Sequence, residues 1–186
     1  RYGRYHEPTH QGRRVTLDEL PSVRAEVEAL GPDGERLRAK KSLGQNFLFD
    51  LNLTRKIARS GLPLATTPDI DVGPGPGGLT RALLLEGAQQ IIAIERDDRF
   101  RPILDRLSAA SGRRLTVVYG DATADGMNKA HSLLADTNSK AQIIANLPYN
   151  VGTPLLVGWL LSEPWPPWFS GLTLMFQREV AQRIVA

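Results

Sequence analysis

Ile70-Asp71-Val72-Gly73-Pro74-Gly75-Pro76-Gly77-Gly78-Leu79-Thr80 is the stretch that decides the fold of this 186-residue chain. A short strand-like run meets a turn of glycine and proline, and a helical pattern follows from Leu79 to Glu86, with Gly87 at its end. Strand, glycine turn and helix open a doubly wound α/β sheet, whose ligands bind outside the carboxyl ends of the strands. Three later runs have the same strand character: Ile91-Ile92-Ala93-Ile94, Leu115-Thr116-Val117-Val118-Tyr119 and Ile143-Ile144-Ala145. All are short and rich in β-branched residues. They end at Glu95, at Gly120-Asp121 and at Asn146. Right-handed crossovers put all four strand ends on one edge of a parallel sheet. The glycine turn, Glu95, Asp121 and Asn146 are therefore expected to share one site.

Asn146-Leu147-Pro148-Tyr149 has chemistry of its own. Asn146 offers a side-chain carbonyl. Pro148 has a fixed φ and no N–H, so it stiffens the turn. Leu147, before proline, is pushed to an extended conformation that turns its carbonyl outward. Tyr149 supplies a flat ring. Two acceptors beside an aromatic platform suit an exocyclic amine on a flat base.

These four residues resemble the [Asn/Asp]-x-Pro-[Tyr/Phe] box of methyltransferases that act on amino nitrogens. Three further stretches match one subfamily in order: Lys41-Ser-Leu-Gly-Gln-Asn-Phe-Leu48, Asp71 to Thr80, and Met175-Phe-Gln-Arg-Glu-Val180. Together they resemble the KsgA-type ribosomal RNA adenine dimethyltransferases, over about Lys40 to Ala186. The resemblance implies a Rossmann-like, S-adenosylmethionine-dependent methyltransferase fold with a mostly parallel sheet. It implies transfer of two methyl groups to the N6 amine of each of two adjacent adenines of 16S RNA, in the small ribosomal subunit or its assembly intermediate. Asn146, Leu147, Pro148 and Tyr149 are then the catalytic residues. Gln45, Asn46, Leu48, Asp71, Gly73, Gly75, Glu95, Asp121 and Asn146 are the cofactor-binding ones, with Glu95 on the ribose and Asp121 on the adenine amine. Asp71 stands where the family more usually has glutamate. The resemblance also implies a cytoplasmic monomer that needs no metal and no membrane. Against the family's pattern, the chain is expected to be truncated before the last strands and a C-terminal helical domain. The expected division is an N-terminal extension, residues 1–35, and a methyltransferase domain, residues 36–186.

Two alternatives stay open at this point. Gly73, Gly75, Gly78 and Glu95 equally fit the dinucleotide fingerprint of an NAD-dependent oxidoreductase. Asp71, just before the turn, argues against a pyrophosphate and for a ligand carrying a sulfonium and an ammonium. The antibiotic-resistance methyltransferases of large-subunit RNA share most of the four boxes.

Bulk properties agree with a globular chain: 41% hydrophobic, 23% charged and net +3. No apolar run reaches membrane-spanning length. With no cysteine, disulfides and thiolate metal sites are excluded. Residues 1–60 carry 12 Lys+Arg against 8 Asp+Glu, so basic character concentrates ahead of the sheet, at Arg36, Arg38, Lys40 and Lys41. Such a segment reads either as a phosphate-contacting lead or as a solvated extension. His6-Glu7-Pro8-Thr9-His10 matches a zinc-protease string, but Pro8 disrupts the helix that motif needs. Helices are expected from Leu17 to Leu30, behind a Thr16–Glu19 capping box and ended by Gly31 to Gly34. Others are expected from Leu51 to Ser60, from Asp97 to Ala110, and from Thr153-Pro154 to Leu161. Trp165-Pro166-Pro167-Trp168 reads as a rigid packed loop, Leu172 to Phe176 as the fifth strand, and Gln177 to Ala186 as the start of a last helix. Residues 123–140 are left unassigned.

Overall fold

The computed structural model describes residues 14–39, 48–123, 125–134 and 140–186. Gln45, Asn46, the basic pair Lys40-Lys41 and the His6–His10 string lie outside them. Five strands form one sheet: β1 (Asp69–Val72), β2 (Ile91–Glu95), β3 (Leu115–Tyr119), β4 (Ala141–Asn146) and β5 (Phe169–Met175). Their order is β3-β2-β1-β4-β5, and every neighbouring pair is parallel. The chain reverses direction across the sheet between β1 and β4, and that switch point is where such sheets open a crevice.

The alternation of side chains along each strand assigns the two faces. Ile70, Val72, Ile92, Ile94, Ile143 and Ala145 pack under α6 (Gly126–Leu134) and α7 (Tyr149–Leu160). Ile91, Ala93 and Ile144 pack under α3 (Leu51–Ala58), α4 (Gly78–Leu85) and α5 (Arg101–Ala110). Asp69 and Asp71 take the second face too, and both are fully buried. Gln142 ties the α3–β1 loop to β4: its amide accepts from the Leu62 N–H at 2.7 Å and donates to the Leu62 carbonyl at 3.0 Å.

The stretch ahead of α3 differs from its expected form. Pro21 interrupts the single helix expected over 17–30. A 3-10 turn (Leu17–Glu19) precedes it and α1 (Val23–Glu28) follows. At the start of the turn the Thr16 N–H donates to Glu19 Oε2 at 2.8 Å. α1 stops just before Gly31, as expected, but a separate helix follows at once. Pro32, with no N–H to satisfy, opens α2 (Pro32–Ala39). This segment packs against the sheet domain. Val27 is fully buried against Phe100, Ile103 and Leu104 of the α5 region. Glu26 pairs with Arg106, and Arg81 of α4 donates to the Pro21 carbonyl at 2.6 Å.

Two further elements shift. α7 begins at Tyr149, four residues before the expected Thr153-Pro154 start, and Pro154 lies inside it. Pro148 caps it with extended backbone, and its carbonyl accepts from the N–H groups of Val151 and Gly152. β5 spans Phe169–Met175, three residues earlier at its start than expected, and α8 (Arg178–Ile184) follows. The unassigned stretch contains α6. Its His131 stacks on Trp168 at 4.7 Å between ring centroids, so the Trp-Pro-Pro-Trp loop is anchored there while Trp165 stays exposed.

Candidate active site

The strand ends converge on one crevice. Its inner part is lined by Asp71, Gly73, Gly75, Glu95, Leu48 and the Asn146–Tyr149 turn, with Phe100 beside them. Its outer part continues past Gly73, Glu95 and Pro148 to Arg96, Asp121, Thr123 and Asn150. Every site residue expected from the sequence and within the described residues lies on this crevice. Phe100 was not foreseen, because nothing but a lone apolar residue after Asp97-Asp98-Arg99 marks it.

The turn after β1 needs its glycines. Gly73 and Gly75 hold φ of 67° and 57°, a left-handed conformation that side chains disfavour. Gly78 serves a different purpose: a Cβ there would meet the Leu48 carbonyl oxygen at 2.4 Å. The absence of that Cβ lets the segment at Leu48 lie directly over the start of α4.

Glu95 locks the turn from the end of β2. Its Oε2 accepts from the Gly75 N–H at 2.8 Å and its Oε1 from the Asp97 N–H at 2.7 Å. Each carboxylate oxygen can accept more than one hydrogen bond, so acceptor capacity remains toward the crevice. Burial pushes its pKa up, and the two backbone bonds oppose that shift.

Asp71 forms the floor. Its Oδ2 accepts from the Thr80 hydroxyl at 2.6 Å, and its Oδ1, fully buried, has no hydrogen-bond partner among the described residues. Burial pushes this carboxyl up to about 7, the Thr80 bond pulls it down, and the nearby Glu95 charge adds to the rise. Asp69, two residues back on the same face, is pushed up to about 8, chiefly by burial. Asp121 differs: the Thr123 hydroxyl, then the Thr123 N–H and Arg96, hold it below the usual carboxylate range. Tyr149, in the first turn of α7, is 40% exposed at the mouth.

Among the described residues no cluster of His, Asp and Glu is arranged to hold a metal, and no helix is long and apolar enough to cross a membrane.

A parallel sheet with a glycine turn after its central strand, acids ending the next two strands and Asn-Leu-Pro-Tyr after the fourth defines a Rossmann-like methyltransferase. Solved structures agree. The chain superposes on a dimethyladenosine transferase from Plasmodium falciparum with a TM-score of 0.57 and 26% identity, over 76% of this chain and 46% of that one. It superposes on the 23S rRNA methyltransferase ErmE with a TM-score of 0.56 and 25% identity, over 74% and 50%. The chain belongs to the ribosomal RNA adenine dimethylase family, whose model matches residues 36–186. It is 55% identical over 170 residues to the ribosomal RNA small subunit methyltransferase A of Azorhizobium caulinodans, covering 91% of this chain and 55% of that protein. The chain thus spans little more than half the length of the curated relatives it matches. Family membership sets the nicotinamide alternative aside.

Proposed function

We propose that the crevice binds S-adenosylmethionine and that the chain carries the methyl-transfer site for the N6 amine of adenines in 16S RNA of the small ribosomal subunit. The observation that carries this reading is the continuous lining. Glu95 and the glycine turn face the same space as Asn146 to Tyr149, so a donor and an acceptor meet there. The residues fit the cofactor. Asp71 places a buried carboxylate at the floor, with one oxygen that has no hydrogen-bond partner among the described residues, suited to a cationic ligand and unsuited to a pyrophosphate. Glu95 retains acceptor capacity for ribose hydroxyls, and Asp121 for the adenine amine. Gly73, Gly75 and the main chain at Leu48 allow close backbone approach, with Gln45 and Asn46 completing the set on the family's pattern. When bound, S-adenosylmethionine supplies an electrophilic methyl group on a sulfonium.

The chain's own residues do the rest by positioning. The Asn146 side-chain carbonyl and the Leu147 carbonyl accept from the two N–H groups of the substrate amine. That favours a localised lone pair in place of one delocalised into the ring. Tyr149 stacks on the extruded base. The methylated amine releases its proton to solvent, so no strong base is required, and preorganised acceptors supply the catalysis. The small subunit is favoured over the large by the 55% identity to a small-subunit enzyme. A cytoplasmic monomer acting on ribosomal RNA completes the reading.

Two substitutions test it. Glu95→Ala should weaken S-adenosylmethionine binding by about 1–3 kcal/mol, the range for hydrogen bonds to a charged group, measured by calorimetry. Tyr149→Ala should lower methyl incorporation into an immature small-subunit particle, by an amount corresponding to the roughly 1–3 kcal/mol of base stacking, with cofactor affinity nearly intact. Unchanged affinity in folded Glu95→Ala, or methyl label absent from small-subunit adenines with wild-type protein, would overturn the assignment.

A further inference from the structure

The two oxygens of Asp121 have different partners. Oδ1 accepts from the Thr123 N–H at 2.8 Å and the Thr123 hydroxyl at 2.6 Å. Oδ2 accepts from Arg96 Nη1 at 3.3 Å. Arg96 directly follows Glu95, and its guanidinium reaches from the end of β2 to Asp121, just past the end of β3. Both residues line the outer crevice, and the Arg96 side chain is 78% exposed. The oxygen best placed to receive a base is therefore the one this arginine already engages.

We propose that Arg96 is a positioning residue that sets base selectivity: it steers Asp121 Oδ2 and shares that oxygen with the exocyclic amine of the cofactor's purine. The proposal rests on the reading that the crevice takes S-adenosylmethionine. Oδ1 is committed to two local bonds that also cap the turn at Thr123. Oδ2 makes one long bond to an exposed cation, and such a pair is weak and screened by salt. Oδ2 can accept a second hydrogen bond, but the guanidinium already draws on its negative charge, and that cost falls only on a ligand that donates at this position. A purine with a 6-amino group donates and shares the charge of Oδ2 with Arg96. A purine with a 6-oxo group accepts at O6 and keeps its donor at the neighbouring N1–H, so O6 meets repulsion from ionised Asp121 and attraction from the guanidinium. Arg96 thus lowers affinity for the amino base, raises it for the oxo base, and narrows the gap between them.

The measurement is calorimetric affinity for S-adenosylhomocysteine and S-inosylhomocysteine, in wild type, Arg96→Ala and Arg96→Lys. Arg96→Ala is expected to bind the adenosyl ligand about two- to fivefold more tightly, the range for an exposed ion pair. It is expected to bind the inosyl ligand more weakly by a similar factor, so the ratio of the two affinities rises. Arg96→Lys keeps a cation and should keep the ratio near wild type. Added salt should move the wild-type adenosyl affinity toward that of Arg96→Ala. An unchanged ratio in folded Arg96→Ala, or equal weakening of both ligands, overturns the role of Arg96 and leaves the cofactor reading standing. Failure of the wild-type protein to bind either ligand overturns the cofactor reading and this proposal with it.

Discussion

Asp71 is held near neutrality by burial, at about 7, so its charge changes within the ordinary working range of pH. The ionised form favours a cationic ligand and the protonated form does not. S-adenosylmethionine should therefore bind more tightly as pH rises through about 7 and should release protons on binding near that pH. The raised pKa of Glu95 acts in the same direction. Asp71→Asn should flatten this pH dependence. Calorimetry in buffers of different ionisation enthalpy reads the proton release directly, and an equally steep profile in the folded variant would exclude Asp71 as its source. Asp71, Glu95, Asp121 and Asn146 were all legible in the sequence, the last three because each follows a β-branched run and Asp71 because it stands just before the glycine turn. Their partners were not. Thr80 reaches Asp71 only through the geometry of the glycine turn, and Arg96 meets an acid 25 residues further along. Pairings of that kind depend on how strand ends are brought side by side, which no local pattern encodes.

At the scale of elements, strands were easier to place than helices. Runs such as Ile91 to Ile94 carry their own signal. α6 lacks one: Met127, Ala130 and Leu134 supply its inward positions, but one inward side chain is only a methyl, and Leu133, between them, is exposed and blurs the period. The start of α7 was misplaced because Thr153-Pro154 imitates a helix N-terminus, whereas the extended Pro148 is the actual cap. α1 belongs to an expected helix, Leu17 to Leu30, with no role legible in the sequence, yet its Val27 closes the cluster around Phe100, and Phe100 lines the crevice. Val27→Ala removes two fully buried methyl-sized groups and should cost about 2 kcal/mol, at ~0.8 kcal/mol for each. The urea midpoint of the variant checks this. A midpoint equal to wild type would mean that the segment ahead of the sheet is not coupled to the fold.

For the molecule as a whole, the order β3-β2-β1-β4-β5 splits the chain into a local half and a distant one. β1, β2 and β3 pair in sequence, over residues 69–119. β4 must then return to β1, pairing Ile143 with Ile70 across a long loop. Closing that loop costs more entropy than closing the two shorter crossovers, so the first three strands are expected to gain protection before the last two. Pulse-labelled hydrogen exchange during refolding reads this order, and simultaneous protection of all five strands would refute it. The crevice inherits the same history. The glycine turn, Glu95 and Asp121 belong to the early half, while Asn146 to Tyr149 arrive with β4 and α7. On the proposed reading, an emerging chain acquires its grip on the methyl donor before it owns the wall that receives the base. A donor molecule already seated would then favour the docking of β4 to the extent that it binds the finished crevice more tightly than the half-built one. The cell's supply of donor would thus act on the maturation of this protein as well as on its turnover.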